Sequence, residues 1–353
     1  MGYEVNFLQV GNGETSGDCI VLRYGDLHSG DAMKQYIIVI DGGFKESGQK
    51  LVDFIIKHYK TTYVDMVIST HLDRDHIAGL TPVLEQLQVG RLYMHRPWLH
   101  STRADENVQK EAIEARKSYG NAASLEELAI EKDVSIIEPF TGQKVSFGND
   151  GYLHILGPDP LYYEHLLSDF DHNKSLVNKL AEAINKAATT IDEAIKKVQE
   201  TLDPSTETLD HVHKDTSSEN SSSVIAYFNF DGKHLLFTGD AGVEALHRAA
   251  DYADTQAIPL TQLSFLDVPH HGSKHNVDSR FLNRVRAETA FISATKDSKK
   301  HPSPRVRNAL VRRNFSLSTT EESNIRHQFN APDLEGYSPV TPLGFISEFE
   351  DDE

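Results

Sequence analysis

The amino-acid sequence predicts an α/β fold, and three observations carry that expectation. Apolar segments of strand length alternate with segments whose apolar residues recur at helical spacing, near the N-terminus and again beyond residue 220. One of them, 36–40, is apolar without a break, as a strand buried on both faces should be. Four of the strand-like segments end in Asp or His, and the C-terminal ends of strands are where α/β sheets bind ligands.

The elements follow in order. Residues 5–10 predict a strand, with a loop over Gly11–Asp18, and further strands are expected over 19–24 and 36–40. The third closes in Asp41-Gly42-Gly43, a turn in which glycine permits tight backbone geometry. Leu51, Phe54, Ile55 and Tyr59 stand at helical spacing, and 64–69 is a fourth strand leading directly into Thr70-His71-Leu72-Asp73-Arg74-Asp75-His76. Leu80, Leu84 and Leu87 mark a helix with Pro82 near its first turn. Surface helices are expected over 106–117 and 124–132, and a strand over 153–156. In 175–202 the apolar residues Val177, Leu180, Ile184, Ala187, Ile191, Ala194, Val198 and Leu202 form a narrow stripe. That stripe suits packing on one partner helix, either the protein's own or that of a homodimer or partner subunit. Residues 203–223 are polar and read as a flexible loop. Strands over 224–230 and 235–237 flank Asp231-Gly232 as a hairpin ending in Thr238-Gly239-Asp240. A strand over 263–268 ends in Pro269-His270-His271-Gly272, and another over 290–293 precedes Lys299-Lys300-His301-Pro302. The whole, 1–353, is expected to be one domain carrying a helical insertion with a flexible loop over 160–218 and an acidic tail over 348–353.

Composition narrows the function. The 353 residues hold 35 Lys and Arg against 53 Asp and Glu, a net charge of −18, which argues against a broad grip on nucleic acid and leaves room for a local basic patch. A single cysteine, Cys19, excludes a Cys-rich zinc site and an intrachain disulfide, so His and carboxylate are the available metal ligands. Apolar runs are far shorter than the roughly 20 residues a membrane helix needs. No secretory signal pattern opens the chain, and a cytoplasmic, membrane-free protein is expected.

The run His71-Leu72-Asp73-Arg74-Asp75-His76 is the sharpest chemical signal. Alternating residues leaving a strand can face one side, so His71 and Asp73 can serve one centre and Asp75 and His76 a second. Carboxylates and imidazoles at this density are costly to hold without a cation. Each strand-ending Asp or His read singly is a turn residue; four in one chain are not.

These motifs resemble the metallo-β-lactamase superfamily: Asp41 in Ile-Asp-Gly-Gly, His71 to His76, Asp240 in Thr-Gly-Asp, and His270-His271. Within it the chain resembles the hydrolase domain attached to the DNA-uptake channel protein of competent bacteria (ComEC-like). That likeness rests on Gln9 to Ile20, Thr70 to Leu80, Asn220 to Ile225, Phe237 to Asp240, Val268 to Ser273 and His301 to Val306. It covers most of residues 3–100 and 220–312, not the helical stretch between. The resemblance implies a four-layer αβ/βα sandwich with a helical insertion, metals at the shared edge of two sheets, and hydrolysis by a hydroxide held on metal. Metal ligands are expected at His71, Asp73, Asp75, His76, Asp240 and His270, one ion on the Asp75-His76-Asp240-His270 side and a second near His71, Asp73 and Asp240, with the choice between His270 and His271 as ligand left open; Asp75, His271 and His301 are the expected catalytic residues. The second histidine of the family's His-x-His-x-Asp-His is Asp73 here, and Asn220 and Ser223 stand where a third-motif histidine is usual. Oxygen-richer ligation favours Mn²⁺ or Mg²⁺ more than an all-nitrogen set would, so one or two divalent ions are expected, Mn²⁺ or Zn²⁺, with Mg²⁺ admitted.

Between Asp278 and Arg313 ten Lys or Arg face three acids. One reading is a basic face that pairs with the acidic remainder. The other is a phosphate-binding wall beside the metals. On the second reading Ser273, Lys274, Lys300, Arg305, Arg307 and Asn220 bind substrate. His301, taken to sit at a strand end, gives a proton to a leaving alkoxide or holds a phosphate oxygen. The expected function is a metal-dependent phosphodiesterase, a nuclease. The alternatives are hydrolysis of a small or cyclic nucleotide and a non-catalytic binding or regulatory subunit with a structural metal site.

Overall fold

The computed structural model describes residues 1–11, 13–100, 120–148, 151–167, 206–211, 216–335, 337 and 341–347. The expected helix over 106–117, the stripe over 175–202 and the tail over 348–353 lie outside the described residues.

Strands in chain order are β1 (Gly2–Phe7), β2 (Cys19–Gly25), β3 (Gln35–Gly42), β4 (Tyr63–Val64), β5 (Met66–Ile68), β6 (Gln88–Val89), β7 (Arg91–Tyr93) and β8 (Ser135–Ile137). The second half contributes β9 (Lys144–Phe147), β10 (Gly151–Gly157), β11 (Ile225–Phe230), β12 (Lys233–Phe237), β13 (Leu263–Asp267), β14 (Ala287–Ile292), β15 (Ser316–Thr319) and β16 (Ile325–Phe329). One seven-stranded sheet has the order β16-β1-β2-β3-β5-β7-β8 and the other β15-β14-β13-β12-β11-β10-β9, with β4 and β6 as a small ribbon. In each large sheet an antiparallel part passes into a parallel part, at β3–β5 in the first and at β12–β13 in the second.

The residue period explains the layers. On β3, Ile38 and Ile40 point into the core between the sheets, while Ile37 and Val39 face the helices on the outer side. On the other sheet Leu235, Phe237 and Phe265 enter the same inter-sheet core, while Leu236 and Leu266 meet the helices Val243–Thr255 and Pro304–Arg312. Three clusters stacked this way make a helix–sheet–sheet–helix sandwich, the four-layer expectation. The inner core is rich in aromatic rings: Phe7 stands edge-on to Phe291 at 5.5 Å, and Phe265 to Phe291 at 5.2 Å.

Some local expectations change. The fourth strand is cut in two at Asp65, whose carboxylate accepts a hydrogen bond from Ile37 N (2.8 Å) while its own N–H donates to Ile37 O (2.9 Å). The 203–223 loop is only partly a loop. Ser217 Oγ caps a short helix, Ser218–Ser221, by accepting from Asn220 N, and Leu209 is buried in the outer core. The strand expected to start at 290 begins at Ala287 and ends at Ile292, so His301 lies in the turn that opens helix Pro304–Arg312 rather than at a strand end. The expected hairpin forms, with Asp231 and Gly232 both at positive φ (53° and 75°) as a tight β-turn of that kind requires. No helix of the described residues is long and apolar enough to cross a membrane.

Candidate metal centre

The parallel strands deliver the site. β3 ends in Asp41, β5 leads through Ser69 and Thr70 to His71, β12 ends just before Asp240, and β13 runs into Pro269–Gly272. Their C-terminal ends meet at the edge the two sheets share. A backbone contact seats the His71–His76 loop. The short helix Arg74–Ile77 runs into Gly79, where an added Cβ would lie 1.9 Å from Gly42 O, so only glycine lets the two chains touch. Gly17 plays the same part beside Asp75, whose carbonyl oxygen would be 2.3 Å from a Cβ there. Asp41, His270 and His271 adopt left-handed backbone (φ 53°, 49° and 55°), a local cost of about 1–3 kcal/mol each that the surrounding structure must offset.

Side chains converge on one carboxylate. Asp240 Oδ2 has four imidazole Nε2 atoms around it: His71 at 3.7 Å, His76 at 3.5 Å, His270 at 3.5 Å and His271 at 3.9 Å. Asp73 Oδ2 is 3.8 Å from His71 Nε2. The ligand atoms of Asp75, His76 and His271 lie within 4.8 Å of one another, and so do those of Asp18, Asp240 and His271. Behind the ring of Nε2 atoms stand other groups. Asp41 Oδ2 accepts from His76 Nδ1 (2.9 Å) and from Thr70 Oγ1 (2.5 Å), and Asp41 Oδ1 accepts from Thr70 N (2.8 Å). Asp41 thus orients a ligand histidine, and its ligand atom also lies within 4.8 Å of those of His71 and His76, a third group that could hold an ion.

The chemistry of this donor set fits a divalent cation. His71 Nε2, His76 Nε2, both nitrogens of His271 and Asp240 Oδ1 are buried with no hydrogen-bond partner, which costs roughly 1–3 kcal/mol per atom if nothing is bound. Two ligand atoms about 2.1 Å from one ion at a tetrahedral angle sit about 3.4 Å apart, close to the separations around Asp240. Electrostatics agree. Burial pushes the Asp18 carboxyl up to about 7, with Asp240 and Asp41 adding to the effect and His76 opposing it. Burial, then the Asp18 charge, raises Asp267 well above the usual carboxylate range. Burial also disfavours charge on Asp240, but His270, His76 and His271 outweigh it and hold its carboxyl well below the usual range. Burial lowers His271 to about 4, while His76, equally buried, is raised well above the ordinary histidine value by Asp240 and Asp41.

The remaining expected residues lie near this centre or divide. His301 lies near it, its ring 5.2 Å from that of His270 and tilted to it, and 6.1 Å from that of His271, edge-on; burial and those two imidazoles lower it to about 3. Asn220 Nδ2 is 3.4 Å from His270 Nδ1, so the third-motif position backs an imidazole from behind. Ser273 Oγ accepts from His275 N and shapes the turn that carries the half-buried Lys274. Arg305 is buried in the first turn of helix Pro304–Arg312, Arg307 Nε donates to Gly344 O (2.9 Å), and Lys300 is exposed. Among the described residues, at least six cations of the basic stretch pair with the protein's own acids: Arg280 with Asp278, Arg284 with Asp251 and Asp254, Lys296 with Glu322, Lys299 with Glu14, and Arg312 and Arg313 with Glu207. Three site residues were not singled out from sequence: Asp18, Asp267 and Asn276. Asp18 stands in the Gln9-to-Ile20 motif, the one signal that pointed to it.

A family model described as "Metallo-beta-lactamase superfamily" matches residues 34–296. "ComE operon protein 3" of Bacillus subtilis (strain 168) is 28% identical over 110 residues, 31% of this chain and 14% of that protein, so the chain matches about a seventh of the relative's length. Among solved structures, the metallo-beta-lactamase fold protein YhfI from Bacillus subtilis is similar at TM-score 0.47 and 10% identity, covering 93% of this chain and all of that one. A diphosphatase from the PhnP family is similar at TM-score 0.44 and 9% identity, with 93% and 98% covered.

Proposed function

Because the chain belongs to the metallo-β-lactamase superfamily, a superfamily of metal-dependent hydrolases, we propose that this hydrolase cleaves phosphodiester bonds, as a nuclease using Mn²⁺ or Zn²⁺. The observation that supports this reading is the position of the 299–307 segment. Ser303 N donates to Gly272 O (3.0 Å), and Pro302 Cβ would be 3.0 Å from a Cβ on Gly272, which seats the segment directly on the His270-His271-Gly272 turn. Lys300, His301, Arg305 and Arg307 thereby lie on the element beside the metal ligands, where a phosphate's charge needs cations and donors.

The residues divide the work. His71, Asp73, Asp75, His76, Asp240, His270 and His271 would hold divalent metal, which lowers the pKa of a water and offsets charge building on the phosphate. Asp41 fixes the ring of His76 and so the direction of its Nε2. His301, kept neutral by its surroundings, offers a ring N–H to a phosphate oxygen rather than a stored proton to a leaving group. The six internally paired cations favour a second reading, a small or cyclic nucleotide substrate, because they leave fewer charges to grip a long polyanion. One panel separates the readings: labelled single- and double-stranded DNA, RNA and cyclic nucleotides, each with Mn²⁺, Zn²⁺ or Mg²⁺. Hydrolysis of polynucleotide is expected. Turnover of cyclic nucleotide alone selects the second reading, and no turnover of any phosphodiester by metal-loaded protein refutes both.

A further inference from the structure

We propose that the acidic residues 348–353 dock on the 299–307 wall and hold the place of a substrate's phosphates, so that the chain supplies a competitor for its own substrate surface. The inference rests on the reading of that wall as a phosphate-binding surface and goes beyond it by naming what covers the wall when no substrate is bound.

The charges are complementary and local. Residues 348–353 read Glu-Phe-Glu-Asp-Asp-Glu, five acids in six positions. From Ser298 to Arg313 the chain has six Lys or Arg and no acid, in a protein whose net charge is −18. An acidic segment is therefore repelled by the protein as a whole and attracted by this stretch. Arg312 and Arg313 are taken up by Glu207, which centres the attraction on 299–307, the half beside the metal centre. Lys300 is exposed there. Lys299 pairs with Glu14, but the two side chains are 75% and 62% exposed, and an ion pair so open to water is weak and yields readily to another acid.

The residues just before the segment deliver it to that place. Leu343 N donates to Leu317 O (2.8 Å) on the edge strand β15, and the Leu343 side chain packs against the outer core. Arg307 Nε donates to Gly344 O (2.9 Å). Asn308 then clamps both backbone groups of Ile346: its Nδ2 donates to Ile346 O and its Oδ1 accepts from Ile346 N, each at 3.0 Å. Only Ser347 separates this clamp from Glu348. Asn308 lies about 6 Å along the axis of helix Pro304–Arg312 from its first residue, at about 1.5 Å per residue. His301 precedes that helix, with its ring 5.2 Å from that of His270. Six extended residues span up to about 20 Å, several times the axial distance from Asn308 to the helix start. A tether of one residue also keeps the acids at an effective concentration on the order of mM, so docking needs no strong single contact.

A single label tests this in the full chain. The one cysteine, Cys19, is buried, so a Phe349→Cys variant takes a thiol-reactive fluorophore at one position and keeps all five acids. Its anisotropy reads docking with no substrate present. The anisotropy is expected to fall about twofold as salt rises from about 50 to about 500 mM, because screening shortens the reach of the charges. The same loss is expected at low salt when Lys299→Gln and Lys300→Gln are added, which leaves the Asn308 clamp intact. It is expected again when inorganic pyrophosphate or a short dT oligonucleotide is added to the labelled protein at low salt. Anisotropy that is the same at both salt concentrations overturns the proposal. So does a docked label that survives both lysine substitutions, or one that neither polyanion displaces. If pyrophosphate displaces the label while metal-loaded protein leaves every polynucleotide uncut, the nuclease reading fails and the docked segment stands.

Discussion

Asp18→Asn removes one negative charge from the most crowded point of the centre while keeping the side chain's shape. In the folded protein burial, reinforced by Asp240 and Asp41, raises the Asp18 carboxyl from 3.8 to about 7. Its folded value lies above its unfolded one. The stability it contributes is therefore fully present below pH 3.8 and lost as pH rises through about 7. At about 1.36 kcal/mol per pK unit, holding it ionised at pH 8 without a cation costs on the order of 2–4 kcal/mol. Metal-stripped wild type should thus lose stability between pH 5 and 8 by about that amount more than the variant does. At pH 8 the stripped variant should be the more stable protein, by roughly 5 °C in Tm at about 2 °C per kcal/mol. Divalent metal should reverse the order, because a cation offsets the carboxylate's charge and the variant lacks that charge. Urea unfolding of EDTA-treated proteins across pH 5–8, repeated with Mn²⁺, measures both effects. Parallel pH curves, with the stripped variant no more stable than wild type at pH 8, would refute the claim that Asp18 is an ionisable burden held for the metal.

Other outcomes follow from the same geometry. Asp75→Ala with His76→Ala should lower bound metal, counted by mass spectrometry, and unchanged stoichiometry would mean the ligands lie elsewhere. Gly79→Ala forces a Cβ to 1.9 Å from Gly42 O and should cost about 2 kcal/mol or more and weaken metal binding. Gly120→Ala, with nothing within 4 Å, should be neutral or slightly stabilising in the same thermal melts. Lys300→Ala and Arg307→Ala should weaken binding of a short DNA and reduce its salt slope by about one for each phosphate charge left unneutralised. A lower Tm with an unchanged slope would assign those cations to the fold instead.

Much of the framework is legible because the signals are local. Strand β3 reads as doubly buried from five adjacent apolar residues, and the Asp231-Gly232 hairpin from its turn residues. The short strands β7, β8 and β9 carry no such pattern: Ser135 and Lys144 are exposed, and the strands exist because neighbours offer an edge to pair with. The pairing of β16 with β1 joins residues more than 300 positions apart, bridged by the buried Glu4 carboxylate between Arg23 and Arg326, and nothing near either strand announces it. The basic stretch shows the same limit from the other side. Its charge is countable in the sequence, yet whether a cation is spent on the protein's own acids depends on Asp251, Asp254 and Glu207, which are distant in the chain.

The sequence by itself determined that Asp and His close successive strands, and hence that a metal-binding edge exists, because strand period and turn chemistry act within a few residues. Only the tertiary structure decided what each of those groups does. Asp41 became a hydrogen-bond partner of His76, Asp18 came to face His271 and Asn276 to face His270, and both imidazoles of the His270-His271 pair turned toward Asp240. Those roles depend on burial and on distances of about 3–4 Å between segments far apart in the chain, where desolvation and neighbouring charge set protonation and direction, and no local pattern of residues encodes them.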